Sequence, residues 1–436
     1  MRAIVVGAGI GGLAAALSLR RAGGEVTLVE QAPRFTEIGA GIQLAPNATR
    51  VLRRLDLLDA VAARSHRPSR LSFRTWSDGG EICGYPLGRE VEDAFGAPYL
   101  QTHRADLHRI LAAAVPPGSV RPDTVAVGVE QDDRSVWLTT ADGERLSADL
   151  VVAADGVRSR ARRWLFGADE ALYSGTAAYR ALLPAAEVAG LDLPEYALWL
   201  GPGRHFVHYW VRRGELLNVV GVVGTGAARE SWTARAEPGE YLRAFDGWDP
   251  RVREVLGRAG EVLRYGIHTR APLARWNVGR VALLGDSAHA MVPFHAQGAA
   301  QALVDAAVLG DCLAGAAPAD VPDALDRYVR RRLATATRVQ AGSARAGEDY
   351  HLPDGPESRA RDARLTAQAG PNGFGPHAGA WALDTFDGPV SQESRATTRG
   401  QPAGFQPGSV GRTFSAIRNR AWSSGRWESW RQMTIS

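Results

Sequence analysis

The sequence predicts an α/β protein in which a Rossmann-like domain carries an inserted, mainly antiparallel β-sheet domain. Residues 3–6 form an apolar, β-branched run, which is typical of a buried parallel strand. A glycine-rich turn with helical spacing of apolar residues follows, and the next strand is expected at residues 25–30. Residues 173–269 are rich in strand-like and aromatic segments, which favours an antiparallel layer. The first three elements predict a βαβ unit, and the later segment predicts a second domain.

The glycine-rich turn has the spacing of a nucleotide-binding motif. Gly7, Gly9 and Gly12 form G-x-G-x-x-G, and Glu30 ends the next strand 18 residues later. Gly7 permits the tight turn, Gly9 lets the backbone approach a pyrophosphate, and Gly12 lets the helix pack closely on the strand. The helix N-terminus offers N–H groups to phosphates, and Glu30 can accept hydrogen bonds from both hydroxyls of an adenosine ribose. The combination predicts a bound dinucleotide without choosing between NAD and FAD.

The remaining elements follow from apolar periodicity and turn residues. Helices are expected at residues 46–64, 105–115, 298–315 and 324–345, and short strands at residues 71–100, 124–152 and 281–284. From about residue 352 the periodicity fades, and Gly, Pro, Ser, Thr and Arg dominate. This composition predicts irregular or disordered structure, in which Trp422, Trp427 and Trp430 could mark a partner-binding helix.

The charge of the chain is concentrated in its tail. All 51 basic residues are arginine, and the net charge is +4. Residues 401–436 contain five arginines and one glutamate, so the preceding 400 residues carry no net charge. Nucleic-acid binding depends largely on clustered cations that neutralise phosphates, so no nucleic-acid partner is expected.

The cysteine count and the N-terminal hydropathy limit the cellular context. Cys83 and Cys312 lie far apart without a partner motif, which argues against a disulfide framework and fits a reducing cytoplasm. Residues 3–19 are uncharged but include four glycines. A spanning helix needs roughly 20 mostly apolar residues. We therefore expect a cytoplasmic protein with no membrane span.

Four further segments match the motifs of a known family. They are Gly285-Asp286 after the strand at 281–284, Asp155 within residues 152–159, Arg104 within residues 103–107, and Gly41 within the glycine-rich residues 37–43. With these segments in this order, the sequence resembles the group A FAD-dependent aromatic monooxygenases, particularly the salicylate hydroxylase-like branch. The resemblance covers roughly residues 1–350.

The resemblance implies a role for each matching residue. It places Asp286 on the ribityl or ribose hydroxyls of FAD and Arg104 at the FAD. It implies that Asp155 interacts with the FAD pyrophosphate and with NAD(P)H. It also implies that the segment containing Gly41 lies beside the isoalloxazine ring. The cofactors implied are therefore FAD and, as co-substrate, NADH or NADPH.

The resemblance also implies a p-hydroxybenzoate hydroxylase-like fold. The FAD-binding domain is expected to be discontinuous and to contain residues 1–70, 101–172 and 270–350. The substrate domain is expected to contain residues 71–100 and 173–269. Residues 351–436 are expected to form an irregular or disordered basic tail. Gln297, Gly298 and Ala299 are expected to open the helix that follows the Gly285-Asp286 motif. In such a fold their N–H groups face the N1–C2=O edge of the flavin. The reduced flavin is anionic at this edge, so these N–H groups stabilise the reduced state. Pro293 is expected to keep the preceding loop extended and rigid.

The substrate side is predicted from one strand. Residues 204–209 have strand character, and a period of two places His205, Val207 and Tyr209 on one face. His205 and Tyr209 match the family's substrate-contacting residues. His205 can then take a phenolic proton as the ring becomes electron-rich, while a core or surface histidine stays the alternative.

Two histidines near the flavin loop raise the question of a metal. No Asp, Glu or Cys completes a ligand set with His289 and His295 at a plausible spacing, so no metal is expected. His289 is expected to be a structural hydrogen bonder. The family's usual His-Pro dipeptide is His289-Ala290 here, and His295 occupies a position that is more often small or aliphatic.

The predicted reaction is hydroxylation of a small aromatic substrate with NAD(P)H and O₂. In the family, oxygen forms a C4a-hydroperoxyflavin that transfers a hydroxyl group to an activated ring carbon. Epoxidation or Baeyer–Villiger oxidation of a natural product, and a flavin-binding protein without turnover, remain alternatives. A flavin-dependent halogenase is disfavoured because that family uses a lysine and this chain has none. The oligomeric state is open, with a homodimer as one option.

Overall fold

The computed structural model describes residues 1–35, 39–167, 169–225, 235–369, 373–376 and 378–382. The strands are β1 (Arg2–Val6), β2 (Glu25–Val29), β3 (Gly41–Leu44), β4 (Arg70–Thr75), β5 (Glu81–Pro86), β6 (Leu100–His103), β7 (Val120–Arg121), β8 (Ala126–Gln131), β9 (Val136–Thr140), β10 (Arg145–Ala148), β11 (Leu150–Ala153), β12 (Leu172–Pro184), β13 (Tyr196–Gly201), β14 (Arg204–Val211), β15 (Leu216–Gly224), β16 (Leu263–Thr269), β17 (Asn277–Val278) and β18 (Val281–Leu283). The α-helices are α1 (Ile10–Arg21), α2 (Pro46–Arg54), α3 (Leu58–Ala62), α4 (Arg89–Phe95), α5 (Arg104–Ala114), α6 (Arg160–Phe166), α7 (Pro238–Ala244), α8 (Pro250–Arg258), α9 (Asp286–His289), α10 (Gly298–Leu313), α11 (Val321–Tyr350), α12 (Pro356–Gln368) and α13 (Ala378–Ala382).

A six-stranded sheet forms the centre of the Rossmann-like domain. Its order is β17-β18-β11-β1-β2-β7, and its pairs are parallel except for the edge pair β17-β18. The apolar residues of β1 are buried on both faces of the sheet. Ala3 and Val5 pack in the cluster formed with α1 and α10, whereas Ile4 and Val6 pack against the three-stranded sheet β10-β9-β8. α1 and α10 pack on each other through buried alanine and leucine side chains. This arrangement brings the glycine turn after β1 and the Gly285-Asp286 turn after β18 to the same edge, since parallel strands end together.

A seven-stranded sheet forms the second domain. Its order is β16-β12-β15-β14-β13-β4-β5, and only the pair β13-β4 is parallel. One face packs on α7 and α8 through a cluster that includes Trp199, Phe206 and Phe245. The other face contacts the loop before α10, where Val292 and Phe294 pack against Val220 and Val222. The predicted α/β class with an inserted, mainly antiparallel sheet is confirmed.

Several predicted element boundaries differ from the structure. The helix expected at residues 46–64 is two helices, because the chain turns at Asp56, whose φ is +59°. The helix expected at 324–345 is longer, Val321–Tyr350. The prediction of irregular structure from residue 351 onward is wrong for α12, which starts at a proline with the preceding Gly355 as its N-cap. Trp422, Trp427 and Trp430 lie outside the described residues.

None of the described helices combines the length with the hydropathy that a membrane span needs.

Candidate active site

The glycine turn has one open position and two crowded ones. Gly7 has a φ of +96°, and a Cβ there would lie 2.5 Å from the carbonyl oxygen of Ala154. A Cβ on Gly12 would lie 1.8 Å from the carbonyl oxygen of Gly7, so α1 can approach the turn only through a glycine. A Cβ on Gly9 would meet no atom within 4 Å. Gly9, the N-cap of α1, therefore borders the open space in which a pyrophosphate fits.

Glu30 is fixed beside this turn by the backbone. Its Oε2 accepts the Ala8 N–H at 2.7 Å, and its Oε1 accepts the Ala32 N–H at 2.8 Å. His108, a residue that the sequence did not single out, contacts the Ala8 carbonyl oxygen through Nε2 at 2.7 Å. The carboxylate is thus held at the turn, and each oxygen retains a lone pair for a ribose hydroxyl.

Asp286 and the start of α10 meet at the opposite side of the cleft. Asp286 is the first residue of α9 and is exposed at the surface, although protein atoms lie around its carboxyl group. Desolvation by that protein raises the pKa of the Asp286 carboxyl. A Cβ on Gly298 would lie 3.9 Å from Asp286 Oδ1. A cofactor held by the carboxylate would therefore also lie close to the N-terminus of α10.

The N-terminus of α10 is built as expected, with one addition. Gln297 is the N-cap, Gly298 is the first helical residue, and Ala299 follows, so their N–H groups have no partner within the helix. The Gln297 side chain points away from this role, because its Oε1 accepts from Asn47 Nδ2 at 2.9 Å and from Gln301 Nε2 at 3.1 Å. These bonds fix the helix N-terminus to α2.

The loop before α10 is a single turn of 3₁₀-helix, Pro293–His295. Ala296 then adopts a φ of +52°, a conformation that costs a non-glycine residue energy. The turn and the left-handed residue direct the chain from β18 into α10. Pro293 is exposed at the start of the turn, so its rigid ring shapes the loop.

Asp155 has a structural role at the start of α6. Its Oδ2 accepts the N–H groups of Arg160 and Ala161 at 2.8 and 3.1 Å, and its Oδ1 accepts the Ser287 hydroxyl at 3.0 Å. The carboxylate thus caps α6 and ties the Asp155-Gly156 turn to α9. The predicted pyrophosphate and NAD(P)H contacts of Asp155 stay a prediction.

A buried charge cluster supports the Gly285-Asp286 turn from behind. Asp305 accepts from the Gly285 N–H at 3.0 Å and from Arg332 Nε at 2.6 Å, and it lies 2.6 Å from His289 Nε2. Burial alone would raise the pKa of Asp305, but His289 and Arg332 outweigh burial and lower it to about 2. The prediction that His289 is a structural hydrogen bonder is confirmed. Asp305 was not predicted from the sequence, although an acid in the middle of the apolar residues of α10 was a signal.

Gly41 packs directly against the substrate sheet. Its N–H donates to Asn218 Oδ1 at 2.7 Å, and a Cβ there would lie 2.7 Å from the Tyr209 hydroxyl. Two other tyrosine hydroxyls, of Tyr99 and Tyr196, donate to Gln43 Oε1 at 2.6 and 3.0 Å. A buried polar cluster therefore joins β3 to the sheet. Residues 36–38 of the same glycine-rich segment lie outside the described residues.

His205 lies on the same sheet face as Tyr209, next to the loop before α10. Its ring packs edge-on against Phe294 with centroids 5.1 Å apart, and its Nδ1 lies 2.8 Å from His351 Nε2. Burial, followed by the neighbouring His351, holds the pKa of His205 well below its ordinary value. His205 is therefore a neutral base at neutral pH.

A cavity of about 310 Å³ lies between the two domains. Its walls are formed on one side by Gly39, Ala40 and Arg104 and on the other by Arg180, Leu182, Asn218, Leu263 and Tyr265, with Glu261 at its edge. Arg180 is half-buried, its guanidinium lies over the Tyr265 ring, and its Nε is buried without a hydrogen-bond partner among the described residues. His205 and Tyr209 are not among these walls. They lie on the same sheet face, beyond Val207 and Asn218.

The second histidine of the flavin loop faces α11. The His295 N–H donates to the Ser343 hydroxyl at 3.2 Å, and burial, followed by Arg345, lowers the pKa of His295 to about 4. Within the described ranges, no group of three His, Cys, Asp or Glu side chains is placed to bind a metal ion.

A Rossmann-like domain with this open glycine turn, joined to an antiparallel sheet across one cleft, defines a flavin-dependent enzyme of the aromatic hydroxylase type. The family model described as FAD binding domain matches residues 1–343, and the chain belongs to that family. The predicted FAD cofactor and the predicted class, FAD-dependent monooxygenase, are both confirmed by the comparisons.

Individual relatives support the same class. The 3-amino-4-hydroxybenzoate 2-monooxygenase PtmB3 of Streptomyces platensis is 41% identical over 363 residues, which cover 83% of this chain and 91% of the relative. The 6-hydroxynicotinate 3-monooxygenase of Bordetella bronchiseptica is 38% identical over 78% of this chain and 89% of the relative. A salicylate hydroxylase substrate complex superimposes with a TM-score of 0.74 at 27% identity, over 88% of this chain and 97% of that chain.

Proposed function

We propose that the enzyme uses NADH or NADPH and O₂ to hydroxylate a small aromatic carboxylate that carries a ring hydroxyl group. One observation supports the substrate class most directly. Arg180 presents a buried Nε–H, which has no hydrogen-bond partner among the described residues, beside a cavity lined by Leu182, Leu263 and Tyr265. A planar guanidinium is well suited to bind a carboxylate, while the apolar and aromatic walls suit a ring.

The named relatives are consistent with this class. Their names specify a hydroxybenzoate and a hydroxynicotinate, both of which are aromatic carboxylates with a hydroxyl group. Small aromatic acids of this size fit a cavity of about 310 Å³, which lies at the lower end of the range for ligand pockets.

The residues of the glycine turn and the Gly285-Asp286 turn fit FAD. Gly9 leaves open space for the pyrophosphate, Glu30 is held for the adenosine ribose, and Asp286 is exposed in the cleft. Arg104, at the start of α5, lines the same cleft. FAD held by these residues would supply the hydride-accepting and oxygen-activating chemistry of the class.

The chain itself holds charges and moves a proton. The free N–H groups at the start of α10 stabilise negative charge near that helix N-terminus. A substrate held at Arg180 must extend along the same sheet face, past Val207, for its hydroxyl group to meet His205. His205, neutral and buried, then takes the phenolic proton and so makes the ring more electron-rich. Tyr209 positions the substrate against the β3 segment that it contacts. The surrounding apolar residues Val207, Val292 and Phe294 exclude water.

The cellular setting follows from the same assignment. Both cysteines are free thiols and both are buried, as suits a cytoplasmic enzyme that draws on NADH or NADPH.

A substrate screen with a matched variant tests the proposal. FAD-loaded enzyme is assayed for NAD(P)H oxidation with 3-amino-4-hydroxybenzoate, 6-hydroxynicotinate, 3-hydroxybenzoate and salicylate, and with the corresponding compounds that lack the carboxylate. We expect the acids to stimulate oxidation and to yield an oxygenated product, and Arg180→Gln to raise KM about tenfold or more for the acids, as loss of a charged hydrogen bond does. Equal activity with the compounds that lack the carboxylate, or an unchanged KM in Arg180→Gln, would contradict the proposal.

A further inference from the structure

His205 makes a direct contact with a second histidine from a distant part of the chain. Nδ1 of His205 and Nε2 of His351 are 2.8 Å apart, and the ring centroids are 5.0 Å apart. His351 directly follows the last residue of α11, and its carbonyl oxygen accepts the N–H of Gly203 at 3.0 Å. This hydrogen bond therefore holds the end of α11 at the turn between β13 and β14, so that the two imidazole rings lie next to each other.

The two rings lead from the protein interior towards its surface. His205 is 3% exposed, and Phe294 and Tyr350 pack edge-on against its ring. His351 is half-buried. The remaining ring nitrogen of His205, Nε2, has no hydrogen-bond partner within the described part of the chain. The contact between the two rings thus gives a proton on His205 a route towards the surface through His351.

We propose that His351 is the second member of a proton relay that carries the substrate's phenolic proton from His205 to solvent. This inference rests on the proposed function, since it requires a substrate with an ionisable ring hydroxyl. None of the motifs that identified the cofactor site includes His351.

The proton balance of the relay is simple. The phenolic O–H bond breaks and its proton binds Nε2 of His205. The proton on Nδ1 of His205 passes to Nε2 of His351, and the proton on Nδ1 of His351 passes to water. One proton has left the substrate and one has entered solvent, so both imidazoles stay neutral. The reverse movement restores the starting tautomers when the product takes up a proton before release.

The electrostatic surroundings keep both rings neutral in the resting enzyme. Burial, followed by the charge of Arg204, lowers the pKa of His351 to about 4, and burial, followed by His351, lowers that of His205. Tyr350 also packs on the His205 ring, and burial raises the pKa of Tyr350, so it too is uncharged. A neutral pair at this distance needs one N–H donor and one lone-pair acceptor, which is the arrangement that the relay uses.

Two substitutions at residue 351 separate a relay from a structural contact. Glutamine can still hydrogen-bond to His205 but cannot pass a proton between two nitrogens. We expect His351→Gln and His351→Ala, both loaded with FAD, to lose about tenfold or more in the rate of product formation at pH 7. Added imidazole should restore the rate of His351→Ala in part and leave His351→Gln, wild type and the control His66→Gln unchanged. Wild-type turnover in His351→Gln, or no rescue of His351→Ala by imidazole, would overturn the relay.

A measurement without substrate keeps this test independent of the proposed function. In ¹⁵N-histidine-labelled holoenzyme, the hydrogen bond between the two rings predicts a strongly deshielded ring N–H resonance. It should disappear in His351→Ala and persist in His66→Gln. Absence of that resonance from the wild type overturns the relay on its own, whereas absence of NAD(P)H oxidation with every aromatic acid counts against the proposed function.

Discussion

Arg332 donates from Nε to Asp305 Oδ1 at 2.6 Å, and neither side chain is exposed. The same carboxylate accepts the Gly285 N–H and contacts His289, so one acid on α10 connects α11 to the turn that presents Asp286. A buried charge of this kind depends on its partners for solvation. The cluster therefore controls both stability and the position of Asp286.

Removal of the Asp305 carboxylate should destabilise the fold strongly. Asp305→Ala leaves Arg332 buried without its anion, which typically costs about 3–5 kcal/mol in the free energy of unfolding. The double variant Asp305→Leu, Arg332→Met removes both charges and should regain much of the loss. Urea unfolding of the apoproteins measures the difference. A double variant no more stable than Asp305→Ala would show that the penalty does not come from the unpaired arginine.

The same carboxylate should make stability depend on pH in the acid range. The folded-state pKa of Asp305 is about 2, which is below the ordinary value of about 3.9 for an unfolded chain. The unfolded state therefore binds a proton first as the pH falls. The stabilisation by Asp305 is present above about pH 4 and is lost as the pH falls towards about 2. Wild type should lose stability more steeply over this interval than Asp305→Asn. Parallel curves of unfolding free energy against pH would contradict the assignment.

Two glycines of the first turn should respond differently to the same substitution. Gly9→Ala meets no atom within 4 Å and has an extended backbone with φ −70°, so the apoprotein should fold normally. Its methyl group would enter the space assigned to the pyrophosphate, and FAD affinity should fall at least about tenfold, or roughly 1.4 kcal/mol. Gly12→Ala would place its Cβ 1.8 Å from a carbonyl oxygen and should destabilise the apoprotein itself. Thermal melting and FAD fluorescence titration distinguish the two, and normal FAD affinity in Gly9→Ala would contradict the placement.

Tyr209 should affect coupling more than folding. Tyr209→Phe removes one buried hydroxyl from the sheet face that meets Gly41, so FAD binding should persist. We expect less product per NAD(P)H consumed and correspondingly more hydrogen peroxide, because the substrate is held less well. Tyr179→Phe is the matched control, since Tyr179 packs on the opposite face of the sheet with Tyr241. An equal yield of product per NAD(P)H in both variants would contradict the assignment of Tyr209 to the substrate site.

The sequence allowed prediction of those parts of the site that depend on local backbone requirements. Gly7 and Gly12 are needed because a Cβ would collide with neighbouring backbone, and such positions leave a recognisable spacing. The same is true of the helix N-terminus after Gln297, because a helix that follows a strand and a glycine turn leaves a periodic pattern.

Contacts between distant residues could not be predicted in this way. Asp305 and Arg332 lie 27 residues apart, and His205 and His351 lie 146 residues apart, so neither pair follows from spacing. The helix α12 was missed because its many charged residues resemble an irregular segment, whereas Tyr85 and Thr366 anchor it to β5 through backbone carbonyl groups. Tertiary contacts decided these features.

The most direct test of the account follows the oxygen atom. FAD-loaded enzyme turns over an aromatic acid identified in the screen with NAD(P)H under ¹⁸O₂, and mass spectrometry measures label in the product. A monooxygenase inserts one oxygen atom from O₂, so the product should gain one ¹⁸O atom and none when the label is in water instead. An unlabelled product, or consumption of NAD(P)H that yields only hydrogen peroxide with every aromatic acid, would contradict the proposed function.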